Sequence, residues 1–178
     1  MVDFAYVLTP SEVTEAGYRN LDVEATAPLE SFNQSCFHTI ADKPLAISIE
    51  TKPSHVAGDD GLPQLSVWLH AHFTKLRQLT LASRPRTTEL IALPPLWFII
   101  AHGGNWRFLA ATQDTLGRST LWQYPREVAT NTKIGGFQVV RALQVVLDWA
   151  EKQYRPWFER EALPLTTEQR QRYNVIRS

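Results

Sequence analysis

An α/β (α+β) layer domain is the fold class this sequence predicts, and three observations predict it. Residues 45–52 alternate side chains with period two, the mark of a strand. Residues 62–81 carry an apolar stripe at helical spacing. Shorter strand-like runs and a second long helical stretch follow, so strands and helices interleave around one core. The chain has 178 residues, 44% hydrophobic and 20% charged, which is the size and composition of one globular domain.

Each element has its own signal. Val2 to Leu8 reads as a short strand, with Asp3, Ala5 and Val7 on one face and Phe4, Tyr6 and Leu8 on the other. Thr9 to Lys43 is a long connection with Pro10 and Pro28, and a short helix is expected around Ser11 to Ala16. In Leu45 to Lys52, Leu45, Ile47 and Ile49 alternate with Ala46, Ser48, Glu50 and Lys52. Glu50 and Lys52 therefore share a face, about 7 Å apart along the strand.

Gly58-Asp59-Asp60-Gly61 reads as a turn, with Asp60 or Gly61 as the cap of the helix that follows, Leu62 to Leu81. Its stripe is Leu65, Trp68, Leu69, His72, Phe73, Leu76 and Leu79, and Pro63 suits its first turn. Leu96 to Ala101 is a buried strand, His102 to Asn105 a turn, Trp106 to Thr112 a second strand and Ser119 to Tyr124 a third, together an antiparallel meander. A last long helix, Gly136 to Tyr154, is expected to bury Val139, Val140, Leu143, Val146, Leu147 and Ala150 and to stop at Pro156. Domain organisation follows as residues 1–165 in one unit and 166–178 as a polar tail.

Composition excludes several classes. The longest apolar run, Leu90 to Ala101, is interrupted by Pro94 and Pro95 and falls short of the roughly 20 residues of a membrane span. No basic segment followed by an apolar one opens the chain, so no secretory signal is expected. The single cysteine, Cys36, leaves neither an internal disulfide nor a cysteine-rich zinc site and suits an intracellular compartment, cytoplasmic or nuclear. The formal net charge is zero, so the sequence lacks the basic surplus common in nucleic-acid binders, although a local basic groove is compatible with it.

The chemistry concentrates at Asp3, Glu50 and Lys52. Two carboxylates on strands suit a hard divalent cation such as Mg²⁺ or Mn²⁺. A lysine two residues on, on the same face, can orient a water and stabilise charge developing on phosphate. Gln64, one helical turn before Trp68, faces the sheet and can reach the same place, or bond to backbone at the helix start.

These residues stand in five blocks: Met1 to Phe4, Pro44 to Lys52, Gln64 to Trp68, Trp106 to Phe108 and Phe137 to Leu143. In content and order the blocks resemble the fungal nuclease-like domains of the PD-(D/E)XK superfamily, over roughly Val2 to Leu165. The resemblance implies a restriction-endonuclease-like mixed sheet flanked by helices. It also implies Asp3 and Glu50 as metal ligands, Lys52 as the catalytic lysine and Gln64 as a helix-borne accessory. Two departures stand out. Such domains usually carry a sizeable region before the Asp strand, whereas here Asp is residue 3, so the fold is expected to be N-terminally shortened or completed by a partner subunit. After the triplet comes Pro53-Ser54-His55 in place of an Arg and a Gly-containing turn.

Other residues carry weaker signals. His70 and His72 project about 200° apart on a helix and cannot share a metal, so His72 reads as a core or boundary histidine. His102 reads first as a turn residue, and His38 and His55 as loop histidines near the site that can act as acid or base. Trp68, Trp97 and Trp106 are expected in the core, with Trp149 and Trp157 flanking the final helix. Arg107 and Arg141 read as solvated charges or as contacts to an anionic substrate.

Three functions fit this pattern. The first is a metal-dependent phosphodiesterase acting on nucleic acid through Asp3, Glu50 and Lys52. The second is a nuclease-like fold recruited to a small apolar metabolite as a cyclase, isomerase or hydrolase of fungal secondary metabolism. The third is a non-catalytic module that forms a homodimer through an exposed sheet edge.

Overall fold

The structure, a computed structural model, describes residues 3–21, 30–35, 37–52, 62–84 and 90–175. Cys36, His55 and the expected turn at 58–61 lie outside the described residues.

The elements run β1 (Phe4–Val7), α1 (Glu12–Arg19), β2 (Leu45–Lys52), α2 (Leu62–Ala82), β3 (Leu96–His102), β4 (Asn105–Gln113), β5 (Ser119–Gln123) and β6 (Val128–Ala129). The rest of the chain is helical: α3 (Lys133–Trp149), a π-helical turn (Ala150–Tyr154), α4 (Arg155–Trp157), a second π-helical turn (Phe158–Ala162) and α5 (Thr167–Arg172). One mixed sheet has the order β1-β2-β3-β4-β5, with β6 pairing beside β5 on β4. The β2–β3 pair is parallel and every other pair is antiparallel. Strands β3, β4 and β5 form the expected meander. This is the mixed sheet flanked by helices that a restriction-endonuclease-like α/β fold requires.

Local chemistry accounts for where elements begin. Ser11 caps α1, its hydroxyl accepting from the Thr14 N–H, and Thr132 caps α3 in the same way through the Gly135 N–H. Within the long connection Asn33 is buried and acts as a clamp. Its amide donates to the carbonyls of Ile40 and Lys43, and its oxygen accepts from the Leu45 N–H, so β2 is launched from a fixed point.

α2 buries Leu65, Leu69, His72, Phe73, Leu76 and Leu79, as the stripe in the sequence predicts. Trp68, Trp97, Trp106, Trp149 and Trp157 are partly buried against that core, whereas Trp122 is exposed. The indole of Trp68 donates to Ser48 Oγ at 2.9 Å, which sets α2 across the β2 face that carries Glu50 and Lys52. On the opposite face Trp97 meets Trp149 edge-on, where α3 ends. Helix α3 begins close against β6, and a Cβ at Gly135 would stand 1.7 Å from the Ala129 carbonyl oxygen. Only glycine fits there.

Two expectations for the final helix are corrected. Pro156 does not stop it, because the helical path continues to Ala162. Proline lacks an N–H and its ring crowds the carbonyl one turn back, which breaks a regular α-helix. Here a π-helical turn precedes it: the Arg155 N–H reaches back five residues to the Ala150 carbonyl. The widened turn opens the ladder just before the proline, and α4 restarts with Pro156 in its own first turn. Val140 is not buried but 52% exposed, because α3 turns its Val139 and Val146 edge to the protein.

Residues 166–172 are held by polar contacts. Thr166 and Gln169 make a capping box for α5, and Gln169 also accepts from Asn20. Among the described residues no helix is long and apolar enough to cross a membrane.

Candidate active site on strand β2

β2 ends beside the first turn of α2, where Lys52 meets Gln64, and its side chains alternate faces. Ser48, Glu50 and Lys52 therefore form one row under α2, while Ile47, Ile49 and Thr51 face the other way. Cross-strand neighbours share a face, so the register shows what stands beside that row. Lys52 pairs with His102, which pairs with Asn105; Glu50 pairs with Ile100, which pairs with Arg107.

Glu50 is only 4% exposed. Its Oε1 lies 2.9 Å from the ammonium of Lys52, while Oε2 has no hydrogen-bond partner among the described residues. An ion pair this enclosed gains from Coulomb attraction but gives up hydration, so it holds well only if the remaining lone pairs are satisfied. An orphaned carboxylate oxygen in that position is costly unless something occupies it. Lys52 Nζ also donates to Gln64 Oε1 at 3.3 Å. Gln64, the third residue of α2, thus meets the strand lysine across the helix–sheet gap.

Asp3 stands just before β1, and its N–H still bonds to the Ile49 carbonyl at 3.2 Å. Its carboxylate turns to Thr51: Oδ2 accepts from the Thr51 N–H at 2.8 Å and from Thr51 Oγ at 2.6 Å. These two bonds hold the Asp3 carboxyl below its ordinary range, against a small opposing effect of burial, and the charge of Lys52 adds to the lowering. The structure thus brings Glu50, Lys52 and Gln64 into direct contact and sets Asp3 on the residue between the first two.

The histidines separate by environment. His72, on the buried side of α2, has Nδ1 without a partner among the described residues, and burial lowers its pKa to about 3, so it is a neutral core residue. His38 and His70 are exposed. His102 was legible in sequence only as a turn residue. The parallel β2–β3 register places it beside Lys52, and Arg107 joins the Glu50 row by the same geometry; no spacing along the chain reveals either neighbour.

Among the described residues no three His, Cys, Asp or Glu side chains cluster as a ready-made metal cage. Glu50 Oε2, buried and without a partner among the described residues, is the kind of oxygen donor a hard cation takes, while Asp3 Oδ2 is engaged by Thr51.

A separate cavity of about 360 Å³ opens between α2 and β5. Leu65, Leu69 and Leu121 line it with Ser66, His70 and Ser119.

Comparison with known proteins adds one match. A family model, the PD-(D/E)XK nuclease superfamily, matches residues 1–155. No curated protein and no solved structure matches the chain.

Proposed function

The chain belongs to the PD-(D/E)XK nuclease superfamily, and from that premise we propose that it is a divalent-metal-dependent phosphodiesterase acting on nucleic acid. The observation that carries this reading is the buried, unpartnered Oε2 of Glu50 beside the Glu50–Lys52 ion pair. A surface Glu-x-Lys triplet would satisfy its carboxylate with water, whereas this one is enclosed and leaves an acceptor open.

In this reading Glu50 through Oε2, together with Asp3, would hold a Mg²⁺ or Mn²⁺ ion. When bound, such an ion supplies charge that stabilises the developing phosphate oxyanion and makes water a better nucleophile. Lys52, steered by Glu50 Oε1 and Gln64 Oε1, presents its ammonium to a non-bridging oxygen of the scissile phosphate. Gln64 positions that ammonium, and Thr51 fixes Asp3 by two hydrogen bonds. Water adds to phosphorus, the bond to one ester oxygen breaks, and the products are a phosphomonoester and an alcohol.

The test is incubation of the purified protein with supercoiled plasmid, single-stranded DNA and RNA in Mg²⁺ or Mn²⁺. Nicking or strand cleavage that Lys52→Ala abolishes is the expected result. No cleavage of any of these, together with no metal binding by calorimetry, rules the proposal out.

A second reading has the cavity between α2 and β5 in its favour. Its leucine walls and three polar side chains suit a small, largely apolar metabolite, and because Asp3, Glu50 and Lys52 do not line it, acid–base work there would fall to His70. Leu69→Trp would fill that cavity. Loss of a small-molecule activity without loss of nucleic-acid cleavage separates the two readings. Self-association through β5, whose five residues are all exposed, is compatible with either and is read out by sedimentation.

A further inference from the structure

We infer that β5 is the interface of a homodimer, in which the outer edge of Ser119–Gln123 pairs antiparallel with the same strand of a second copy about a two-fold axis at Leu121. This gives self-association through β5 a register and a set of side chains, and it holds under either reading of the chemistry.

The hydrogen bonds at the two ends of β5 show which groups point outward. The Tyr124 N–H donates to the Phe108 carbonyl and the Asp114 N–H to the Arg118 carbonyl, so by alternation Thr120 and Trp122 bond inward to β4. Ser119, Leu121 and Gln123 therefore turn their N–H and C=O groups away from β4, at the end of the sheet, where no other described strand pairs with them. Edge strands are commonly blunted by a lysine, a proline or a bulge. Ser119-Thr120-Leu121-Trp122-Gln123 has neither charge nor proline, its register with β4 is unbroken, and all five residues are exposed.

A second copy suits this edge because the strand complements itself. Centring the two-fold on Leu121 gives the longest overlap and sets outward-facing residues against one another, Leu121 against Leu121 and Ser119 against Gln123. Trp122 pairs with Ala110, which pairs with Trp97, so it lies on the sheet face where Trp97 meets Trp149. There the two Trp122 residues become diagonal neighbours, about 7–8 Å apart and within reach of each other's rings. Each indole is 59% exposed yet already held, its N–H donating to Thr112 Oγ1 at 3.0 Å, so little freedom is lost on contact. On the other face the second copy's Leu121 stands beside the Leu121 that lines the cavity with Leu65 and Leu69, and extends its apolar wall. Zero formal net charge removes the repulsion that separates like copies. The exposed Leu121, Trp122 and Tyr124 of both copies, with the backbone between them, offer about 1,000 Å², the low end for a specific interface, so micromolar association is expected.

The experiment reads oligomeric state without metal or substrate. Sedimentation of the full-length protein in EDTA, from about 1 to 100 μM, is expected to show a monomer–dimer equilibrium. Leu121→Pro deletes an N–H that β4 does not use, which an edge strand tolerates, and should weaken association at least about 10-fold. Leu121→Lys sets like charges against each other across the axis and should do the same. Circular dichroism and thermal melting verify each fold. Cross-linking in a Cys36→Ser background reads the register. Leu121→Cys meets its own copy at about 5.5 Å between Cα atoms and should form an intermolecular disulfide on mild oxidation. Ser119→Cys, about 13 Å from its own copy, should not. A strict monomer at the highest concentration overturns the inference and leaves the phosphodiesterase reading in place. A dimer that survives both Leu121→Pro and Leu121→Lys, or that cross-links through Ser119→Cys and not Leu121→Cys, overturns it as well and puts the second copy on another surface or in another register.

Discussion

Glu50 on β2 and His72 on α2 are both buried, and each has one polar atom without a hydrogen-bond partner among the described residues, yet the protein treats them oppositely. Glu50 sits near the end of β2, beside the first turn of α2, with an ammonium at 2.9 Å. His72 lies deeper along the same helix, its pKa lowered by burial with no opposing contribution. Burial alone therefore does not mark a functional group. The difference is whether a counter-charge stands beside the group, as Lys52 does for Glu50, or apolar packing suppresses the charged form, as it does for His72.

The largest effect expected from breaking this contrast is at Lys52. Removing its ammonium eliminates the group aimed at the phosphate and leaves Glu50 enclosed without a counter-ion. Lys52→Ala is expected to lower cleavage by about a hundred-fold or more. It should also destabilise the fold by about 1–3 kcal/mol, less than a fully buried broken pair because Lys52 retains some exposure. Single-turnover cleavage and urea denaturation report the two quantities. Full activity in this variant would move the chemistry away from β2.

Glu50→Gln sharpens the same point through the metal. Mg²⁺ or Mn²⁺ that binds the folded state raises the melting temperature in proportion to its affinity. Wild type is expected to show that rise and Glu50→Gln to lose it, while melting of both in EDTA stays within a few degrees. An equal rise in the two proteins would put the cation elsewhere.

Two parts of the molecule were legible in the sequence to different degrees. The bounds of β2 and the buried stripe of α2 could be read because a single periodicity dictates each. They placed Gln64 on the sheet side of α2, but its contact with Lys52 was not readable, because the reach of two long side chains across the helix–sheet gap depends on how the layers pack. His102 and Arg107 were not assignable, because partnership across strands depends on which strands pair and in what register, and that information is distributed over the whole sheet. β6 is two residues long and carries no period. The π-helical turns around Pro156 were hidden for another reason: proline signals a stop unless the ladder before it is already open, and only packing decides that.

His72 offers a pH readout of the contrast. Its pKa falls from 6.5 to about 3 on folding, so the folded state binds fewer protons than the unfolded state between those values. The stability this neutral imidazole contributes is complete above pH 6.5 and is lost as pH falls towards 3, by roughly 1.4 kcal/mol per pH unit. His72→Leu removes the titrating group at similar volume. It should make the acid limb of a stability–pH curve shallower by that slope while neutral-pH stability shifts by about 1 kcal/mol. An unchanged acid limb would mean that His72 is not the group that buries neutral.

The smallest expected effect lies on the other face, at Tyr154, where packing leaves a hydroxyl with nothing to do. Its ring is enclosed by Trp149, Trp157 and Phe158, and its O–H is buried without a partner, which raises its pKa well above the ordinary tyrosine value. Like His72 it is a buried polar group with no charge to answer, and unlike Glu50 it has no cation beside it. Tyr154→Phe keeps the aromatic packing and removes an unsatisfied donor, so it should leave cleavage unchanged and stabilise the fold by about 1 kcal/mol. A loss of stability would show that the hydroxyl has a partner, an ordered water being the simplest, and would make this end of the helix a polar site in its own right. A loss of cleavage with stability intact would instead tie the aromatic cluster to the chemistry on β2, and the separation between the two faces of the sheet would no longer hold.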